Sequence, residues 1–357
     1  MTTLRAEFRK FTLRFITPMG TSRGVMTERE TYILRLTREG TNGPEIGLGE
    51  CAPLNGLSVD HRPDFEDRLR QVCEHMNQGG SADDLDLQAW PAIRFGVESA
   101  LLDLARGGRQ RLFDSPFTRG ERAIPINGLV VMGSIEEMLR QVVEKAQAGF
   151  TCIKIKVGAL DFDAECELLR DVRKRCPSSR FELRLDANGA FAPEAALARL
   201  ERLAAFGVHS LEQPIKAGQR AALAEICRHS PIPVALDEEL IGIAMPEEKL
   251  ALLEEARPQY IVLKPTLVGG LAAAEEWIRF AQRLGIGYWV TSALESNIGL
   301  NVLSQWTSTL EPKMPQGLGT GRLFVKNFPS PLNVADGHLH FHPQASTPDA
   351  ARELALL

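Results

Sequence analysis

Apolar and polar residues alternate with a period of two in five short segments in the middle of the chain. A period of two is typical of a β-strand whose two faces differ, because successive side chains point to opposite sides of a sheet. Each segment also carries a charged residue at or near its end. These residues are Lys156, Asp186, Glu212, Asp237 and Lys264. The pattern therefore predicts five strands that carry charged groups at equivalent positions.

The five charged residues recur every 25 to 30 positions, and apolar residues at helical spacing lie between them. One strand, one helix and two short loops need about that much chain, so the period indicates repeated β/α units. A closed barrel has its site at the carboxyl ends of its strands, whereas a doubly wound sheet usually carries a Gly-rich phosphate turn. Because no such turn follows these strands, a barrel is favoured. Its helices are predicted over residues 163–176, 192–206, 219–229, 246–256 and 271–284.

The beginning of the chain has strands first and helices afterwards, which is typical of a separate α+β domain. Strands are predicted over residues 4–16 and 31–37, with a loop rich in Gly, Thr and Ser between them at 17–30. A second irregular loop is expected at 51–61. Helices, with apolar residues three and four apart, are predicted over residues 63–76 and 92–105.

The first barrel strand is predicted over residues 124–131, which places a domain boundary near residue 120. We therefore expect an α+β domain at 1–120 and the barrel at 121–323. The glycine-rich stretch at 317–321 is predicted to turn at the mouth of the barrel. A proline-containing tail, predicted to be mostly loop, occupies 324–357.

Composition narrows the class of protein further. The 357 residues carry a formal net charge of -5 and contain no run rich in Lys and Arg, which argues against a nucleic-acid or anionic-membrane partner. The six cysteines form no Cys-x-x-Cys pair, so a zinc site is not indicated. Neither a signal-peptide pattern nor an apolar run of about 18 residues is present. We expect a soluble protein of the cytoplasm, with an oligomeric state that the sequence leaves open.

The three acids among the charged residues suggest a metal site. Asp186, Glu212 and Asp237 end three successive predicted strands, so a barrel brings them onto one arc. Three neighbouring carboxylates repel one another unless a cation lies between them. Oxygen ligands without His or Cys favour a hard divalent ion, and Mg²⁺ is expected. The simpler interpretation, that each acid caps a loop or pairs with an arginine, fits one acid better than three in successive repeats.

Three lysines are predicted to point into the barrel, where a charged ammonium group needs a partner. Lys156 comes two β/α units before Glu212 and Lys264 two units after it, so these lysines flank the acids, with Lys154 close by. They can then act as acid and base on opposite sides of a bound molecule. One alternative is that the lysines only neutralise the acids. Another is that Lys264 forms a Schiff base, a reaction that needs no acidic metal site.

The order and spacing of these residues resemble the motifs of the enolase superfamily, in its muconate-lactonizing-enzyme subgroup. The matching stretches are Lys154-Ile155-Lys156, Asp186-Ala187-Asn188, Glu212-Gln213-Pro214, Asp237-Glu238 and Lys264-Pro265. The likeness covers nearly the whole chain. It implies an α/β fold, a modified (β/α)7β barrel of the TIM type, with an N-terminal α+β capping domain to which the C-terminal tail returns.

The resemblance also implies roles for single residues. Asp186, Glu212 and Asp237 are expected to hold Mg²⁺, which Mn²⁺ can replace, and Lys156 and Lys264 to form the acid/base pair. The shared reaction is removal of a proton next to the carboxylate of a small molecule, with the metal stabilising the enediolate. The residues expected to support the site or to contact the substrate are Lys154, Asn188, Glu238, Ser292, Glu295 and Gly319.

The reaction within the subgroup is indicated by what the late strands carry. Residues 292–294 lack the Asp-x-Asp pair with which dipeptide epimerases hold an ammonium group, so a substrate with two carboxylates is favoured. Residues 292–299, 317–321 and 328–332 resemble a dehydratase of the subgroup, which is a carbon-oxygen lyase. An N-acylamino acid racemase, a dipeptide epimerase and a muconate cycloisomerase stay open as alternatives. A barrel that binds its ligand without turnover is the alternative from another class.

Overall fold

The computed structural model describes residues 4–21, 24–40 and 43–345. No helix in this part of the chain has the length and apolar character needed to cross a membrane. All six cysteines lie in it, and each is buried and free, as expected for reduced thiols. The end of the predicted tail, from residue 346 onward, lies outside the described residues.

A three-stranded antiparallel sheet opens the fold, and two helices pack against it. Its strands are β1 (Leu4–Thr21), β2 (Gly24–Gly40) and β3 (Gly43–Cys51), and the helices are α1 (Phe65–Asn77) and α2 (Pro91–Ala105). Leu34 and Leu36 alternate along β2 and are fully buried in the core that the helices cover. Helix α2 lies so close to β3 that a Cβ atom on Gly49 would be 1.9 Å from the Gly96 carbonyl oxygen. Glycine at this position is therefore required for the contact.

The prediction of a loop at residues 17–30 is wrong for most of this segment. Strands β1 and β2 continue through it as one hairpin, in which Met19 pairs with Met26, and only its tip lies outside the described residues. The register of the ladder shifts between Arg14 and Met19. Gly and Ser weaken a strand pattern in sequence, but pairing with a neighbouring strand can still form the strand. The loop predicted at 51–61 is irregular, as expected.

The short strand β4 (Ile124–Pro125) leads into a curled sheet of seven parallel strands that follow one another in chain order. These strands are β5 (Gly128–Val130), β6 (Cys152–Lys156), β7 (Glu182–Asp186), β8 (Ser210–Glu212), β9 (Val234–Leu236), β10 (Tyr260–Leu263) and β11 (Gly287–Val290). The sheet closes because Gln316 N donates to Pro125 O and Gly317 N donates to Val290 O, both at 2.8 Å. Gly317 thus pairs with an edge strand, although it was predicted to lie in a turn. The predicted α/β barrel is confirmed.

Helices cover the outside of the barrel. They are α3 (Ile135–Gln147), α4 (Phe162–Arg175), α5 (Pro193–Ala204), α6 (Arg220–His229), α7 (Pro246–Ala256), α8 (Pro265–Val268), α9 (Gly270–Arg283) and α10 (Asn297–Thr309). The five predicted barrel helices agree with the observed ones to within two residues because their ends carry local signals. The Asp161 carboxylate, for example, accepts the backbone N–H groups of Asp163 and Ala164 at the start of α4.

Helix α10 was not predicted from the sequence. It is buried along most of its length, and its buried residues include the polar Asn301, Ser304 and Gln305. A helix without a solvent-facing polar stripe has no amphipathic period to detect. The polar side chains find partners inside the fold: the Gln305 amide donates to Gln110 O at 2.8 Å and its oxygen accepts from Leu112 N at 2.8 Å.

The stretch predicted as the first barrel strand, 124–131, is two strands with different partners. Strand β5 belongs to the barrel, whereas β4 pairs with the tail. The tail forms a hairpin of β12 (Leu332–Ala335) and β13 (His338–Phe341), and Leu339 of β13 pairs with Ile124. Residues 324–331 and 342–345 are irregular apart from a bridge at Phe324, which agrees with the predicted loop, whereas the prediction did not include the hairpin. Its strands form because the apolar side chains of β13 are buried in the main core.

The part of the tail that precedes this hairpin contacts the first strand of the chain. Phe324 bridges to Phe15, and the rings of Phe328 and Phe11 pack edge to face with their centroids 5.2 Å apart. Aromatic contacts of this kind contribute about 0.5–1.5 kcal/mol beyond the area they bury. The domain boundaries expected near residues 120 and 323 stay predictions.

Candidate active site

The five charged residues of the sequence pattern lie at the carboxyl ends of five adjacent barrel strands. Lys156 ends β6, Asp186 ends β7 and Glu212 ends β8, and these three are register partners across the sheet. Asp237 directly follows β9, and Lys264 directly follows β10. Because parallel strands in a barrel end at one rim, their side chains meet there. The two lysines stand on either side of the three acids.

In the structure the lysines form close ion pairs with these acids. The Lys154 ammonium lies 2.6 Å from both carboxylate oxygens of Glu212 and 3.1 Å from Asp186 Oδ2. The Lys156 ammonium lies 3.2 Å from the same Asp186 oxygen, and Lys264 donates to Asp237 Oδ2. All three carboxylates are almost completely buried. The neutralising role considered for the lysines is thus seen in these pairs, and it does not conflict with a role in proton transfer.

Burial and neighbouring charge act against each other on these groups. Burial lowers the pKa of Lys154, but the charges of Asp186 and Glu212 outweigh it and leave this pKa raised. Burial also lowers the pKa of Lys264, but the charges of Asp237, Glu212 and Glu238 together outweigh it and leave this pKa raised. Burial raises the pKa of Asp186, yet the ammonium of Lys154 and then that of Lys156 hold it below its usual range. Lys154 and Lys264 are therefore cations at neutral pH.

The donor set also bears on the expected Mg²⁺. Asp237 Oδ1 is buried and has no hydrogen-bond partner among the described residues. Burial, and then the charge of Asp186, raise the pKa of Glu212 to about 8. A divalent cation would give the Asp237 oxygen a partner and would offset the cost of burying Glu212. The donor chemistry of the acids therefore fits Mg²⁺.

The spacing of the acids is a separate matter from their chemistry. Within the described ranges, no group of three or more Asp, Glu, His or Cys side chains has the arrangement of a metal site. The ammonium groups of Lys154 and Lys264 lie against the same carboxylates instead. Binding of the metal would therefore require these ion pairs to rearrange, and the three predicted metal ligands stay a proposal.

Asn188, predicted to support the site, contacts Lys156, and Glu238, predicted likewise, contacts Asn188. Asn188 Oδ1 accepts a hydrogen bond from the Lys156 ammonium, and its Nδ2 donates to Glu238 Oε1 at 3.1 Å. Asn188 N donates to Asp186 Oδ1 at 2.9 Å, which the left-handed backbone of Asn188 (φ 44°) allows. Asn tolerates that conformation better than most residues. Asn188 thus orients both the lysine and the neighbouring acid.

A cavity lies above these charged groups, and the other predicted residues form part of its surroundings. Ser292 and Gly319 line the cavity together with Lys154, Lys156 and Lys264. Glu295 is fully buried behind that wall, where it accepts hydrogen bonds from Thr266 Oγ1 at 2.5 Å and Ser292 Oγ at 2.6 Å. Glu295 is not among the residues that line the cavity, so of the two roles expected for it, supporting the site fits its position, and this role stays a prediction.

Sequence reasoning missed most of the apolar wall of the cavity. Apolar residues in loops and hairpins match no chemical motif, and the only signals for them were the loops expected at 17–30 and 51–61 and the resembling stretch at 292–299. The missed lining residues are Met19, Met26, Leu54, Leu57, Leu129, Val131, Ala293, Leu294 and Leu323. Thr291 was missed as well: it lines the cavity, and its Oγ1 is buried without a hydrogen-bond partner in the described part of the chain.

Comparisons with known proteins agree with this fold. The family described as "Enolase C-terminal domain-like" matches residues 137–346, and the family "MenC, N-terminal domain" matches residues 5–104. The chain belongs to the enolase superfamily, as the motif resemblance implied. It is 44% identical to the o-succinylbenzoate synthase of Desulfotalea psychrophila, over 95% of this chain and 99% of that protein.

Two solved structures have the same fold as this chain. The crystal structure of MenC from Desulfotalea psychrophila LSv54 superposes with a TM-score of 0.84 at 40% identity, covering 95% of this chain and 99% of that one. The muconate lactonizing enzyme from Pseudomonas fluorescens, complexed with muconolactone, has a TM-score of 0.81 at 23% identity and covers 99% of each chain. The second likeness concerns the fold alone.

Proposed function

We propose that this protein is an o-succinylbenzoate synthase. The reaction is the syn dehydration of 2-succinyl-6-hydroxy-2,4-cyclohexadiene-1-carboxylate to 2-succinylbenzoate and water, a hydro-lyase step of menaquinone biosynthesis. The observation that carries the proposal is the 44% identity with a synthase of that name over nearly the whole of both chains. The arrangement of two lysines on either side of buried acids supports it, because it suits removal of a proton next to a carboxylate.

Lys156 is the proposed base and acid. Its ammonium group borders the cavity and is oriented by Asn188 and Asp186. As a neutral amine it removes the proton on the carbon that carries the ring carboxylate. It then returns that proton to the departing hydroxyl group on the same face, so water leaves and the ring becomes aromatic. One group therefore acts in both halves of a syn elimination.

Lys264 and the metal supply positive charge. Asp186, Glu212 and Asp237 would hold Mg²⁺, or Mn²⁺ in its place. The bound cation would supply positive charge that stabilises the anion formed when the substrate loses its proton. Lys264, whose raised pKa keeps it protonated, lies on the opposite side of the acids from Lys156 and adds a second fixed cation. Lys154 keeps Glu212 and Asp186 paired beneath the cavity.

The remaining cavity wall suits a second carboxylate better than an ammonium group. Asp186 is the one acid among the cavity-lining residues of the described chain, and the wall at 292–294 offers none. The Thr291 hydroxyl group has no hydrogen-bond partner among the described residues, and the backbone of Gly319 lines the cavity. These neutral donors are the proposed partners of the succinyl carboxylate. We also propose a small-molecule carboxylate as the protein's partner, with no nucleic acid or membrane involved, and the cytoplasm as its location.

The test of the proposed function is a comparison of substrates. Purified protein with Mg²⁺ is assayed for kcat/KM on the cyclohexadiene acid, on N-acyl amino acids, on dipeptides and on muconate. We expect a clear preference for the cyclohexadiene acid. Preference for any of the other three would replace the proposed reaction by another reaction of the superfamily, and no turnover of any of them would favour a barrel that only binds its ligand.

Two lysines on opposite sides also suit an N-acylamino acid racemase, and Lys264→Arg separates the two reactions. Arginine keeps a cation beside Asp237 but does not give up a proton near neutral pH. We expect dehydration to fall by less than about 100-fold and racemisation by more than about 1000-fold, because only racemisation needs proton transfer on both faces. Absorbance of the aromatic product and the change in optical rotation of an N-acyl amino acid measure the two rates. Loss of dehydration as complete as the loss of racemisation would contradict this role of Lys264.

A further inference from the structure

Arg29 of β2 is buried at the junction between the N-terminal sheet and the mouth of the barrel. Its guanidinium group donates hydrogen bonds to four backbone carbonyl oxygens in two separate loops. Nη1 bonds to Ala293 O at 2.6 Å and Leu294 O at 2.8 Å, and Nη2 bonds to Ala52 O at 2.9 Å and Pro53 O at 3.4 Å. The two loops are 240 residues apart in sequence, and one planar cation joins them.

Both loops build the apolar wall of the cavity. Ala293 and Leu294 line the cavity from the barrel side, and Leu54, which directly follows the carbonyls held by Arg29, lines it from the other side. Leu54 and Ala293 belong to one small apolar cluster, against which Leu57 and Leu294 pack. The shape of this wall therefore depends on how the two loops are held relative to each other.

Leu294 is held in an unfavourable backbone conformation. Its φ of 64° lies in the left-handed region, which is strained for a bulky residue and persists only where the surroundings enforce it. Two hydrogen bonds enforce it here: Arg29 donates to the Leu294 carbonyl, and Leu294 N donates to Ser292 Oγ at 2.9 Å. Loss of the first bond would let the loop relax.

Two buried acids explain how a buried guanidinium group is tolerated. Glu50 and Glu295 both lie close enough to act on the charge of Arg29, and neither is exposed to solvent. Each acid already accepts hydrogen bonds from other groups, Glu50 from Ser296 N at 2.8 Å and Glu295 from Ser292 Oγ at 2.6 Å. Burial still leaves the pKa of Arg29 lowered, so the two acids offset only part of the cost of burying its charge, while its donors hold the two loops.

We propose that Arg29 is a positioning residue that determines substrate selectivity, because it clamps the loop at 52–53 to the loop at 293–294 and fixes the apolar wall of the cavity. Arg29 does not line the cavity itself, and its hydrogen bonds go to the two wall loops and not to Lys156 or Lys264. Its loss should therefore weaken binding and selectivity much more than it slows the chemical step. The substrate used in the kinetic test rests on the proposed function.

The experiment compares Arg29→Met and Arg29→Lys in the full-length protein. Lysine keeps the charge, but its single nitrogen cannot hold both loops. For both variants we expect KM for the cyclohexadiene acid to rise by about tenfold or more while kcat changes by less than about threefold, since several hydrogen bonds to the wall are lost. An unchanged KM in both variants would overturn the proposal, as would a loss in kcat alone.

The matched control is Arg173→Met. Arg173 also donates to four backbone carbonyls, those of Phe206, Gly207, Cys176 and Phe181, at 2.6 to 3.1 Å, but it lies away from the cavity. We expect Arg173→Met to lower the melting temperature and to leave KM unchanged. An equal rise of KM in this variant would show that the Arg29 effect is one of general stability, and would overturn the selectivity role.

A second variant tests the strain at Leu294. Glycine adopts a positive φ without cost, so in a Leu294→Gly background the further loss caused by Arg29→Met should be smaller than in the wild type. Equal losses in the two backgrounds would show that Arg29 does not enforce this conformation.

Amide hydrogen exchange supplies a readout that needs no substrate. Arg29→Lys and Arg29→Met should speed exchange at residues 51–57 and 292–296 and leave the barrel strands protected. Unchanged exchange in both loops would overturn the clamp. If instead the wild-type protein does not turn over the cyclohexadiene acid, the proposed function fails while the exchange result still decides the role of Arg29.

Discussion

Replacing Lys156 with alanine is expected to lower turnover by about 1000-fold or more while the protein stays folded. The reason is that one amine acts as base and then as acid in the proposed elimination, so both steps lose their proton carrier. The structure supports this assignment because the Lys156 ammonium borders the cavity and is held by Asp186 Oδ2 at 3.2 Å and by Asn188 Oδ1. Steady-state kinetics on the cyclohexadiene acid measure the loss, and thermal unfolding checks the fold.

Two further variants show whether the loss comes from proton transfer. Lys156→Arg keeps the positive charge beside Asp186 but cannot become a neutral base, so it should be as inactive as the alanine variant. Lys174→Ala removes an exposed lysine that is paired with Asp171 at 2.7 Å, and it should leave the rate unchanged. The assignment is wrong if either Lys156 variant keeps more than about a tenth of the wild-type rate, a difference of less than about 1.4 kcal/mol.

The charged residues at the rim of the barrel could be predicted from the sequence because the barrel repeats one geometry. Lys156, Asp186, Glu212, Asp237 and Lys264 come at equivalent points of successive β/α units, and the closed sheet places equivalent points at one rim. No long-range information was needed beyond the period. The same argument predicted the flanking of the acids by the two lysines.

Elements whose partners lie far away in the chain could not be predicted in the same way. Strand β4 forms because it pairs with β13 in the tail, and helix α10 is surrounded by core on most sides, so neither has a local pattern of its own. For both elements a tertiary contact outweighed the local propensity.

The hairpin at Met19 and Met26 was missed for another reason. Its cross-strand partners are close in sequence, but its composition is typical of a loop.

The polar wall of the cavity shows a different limit of sequence reasoning. Glu295 could be found as an acid near the late strands, but its direction could not, and the structure turns it away from the cavity toward Thr266 and Ser292. Arg29 carried no motif at all. The positioning role proposed for Arg29 is inferred only from the two loops that its guanidinium group bonds to.

Removal of divalent metal is expected to abolish turnover. Three buried carboxylates stand at adjacent strand ends, Asp237 Oδ1 has no hydrogen-bond partner among the described residues, and burial with the charge of Asp186 raises the pKa of Glu212 to about 8. A divalent cation would give the Asp237 oxygen a partner and would balance the negative charge that develops on a substrate. Chelation should therefore remove activity, and Mg²⁺ or Mn²⁺ should restore it. Chelator saturated beforehand with Mg²⁺ is the matched control.

The metal site itself can be tested without turnover. Asp237→Asn removes one of the three carboxylates, and calorimetry should show Mg²⁺ binding weakened by about tenfold or more. Asp163→Asn, which removes an exposed acid paired with Arg202, should bind Mg²⁺ as the wild type does. The lysines that now pair with the acids must give way when the metal binds, because the Lys264 ammonium contacts the same Asp237 carboxylate. Full turnover after chelation verified by metal analysis would mean that the lysines alone balance the acids, and the neutralising role considered for them at the outset would be the correct one.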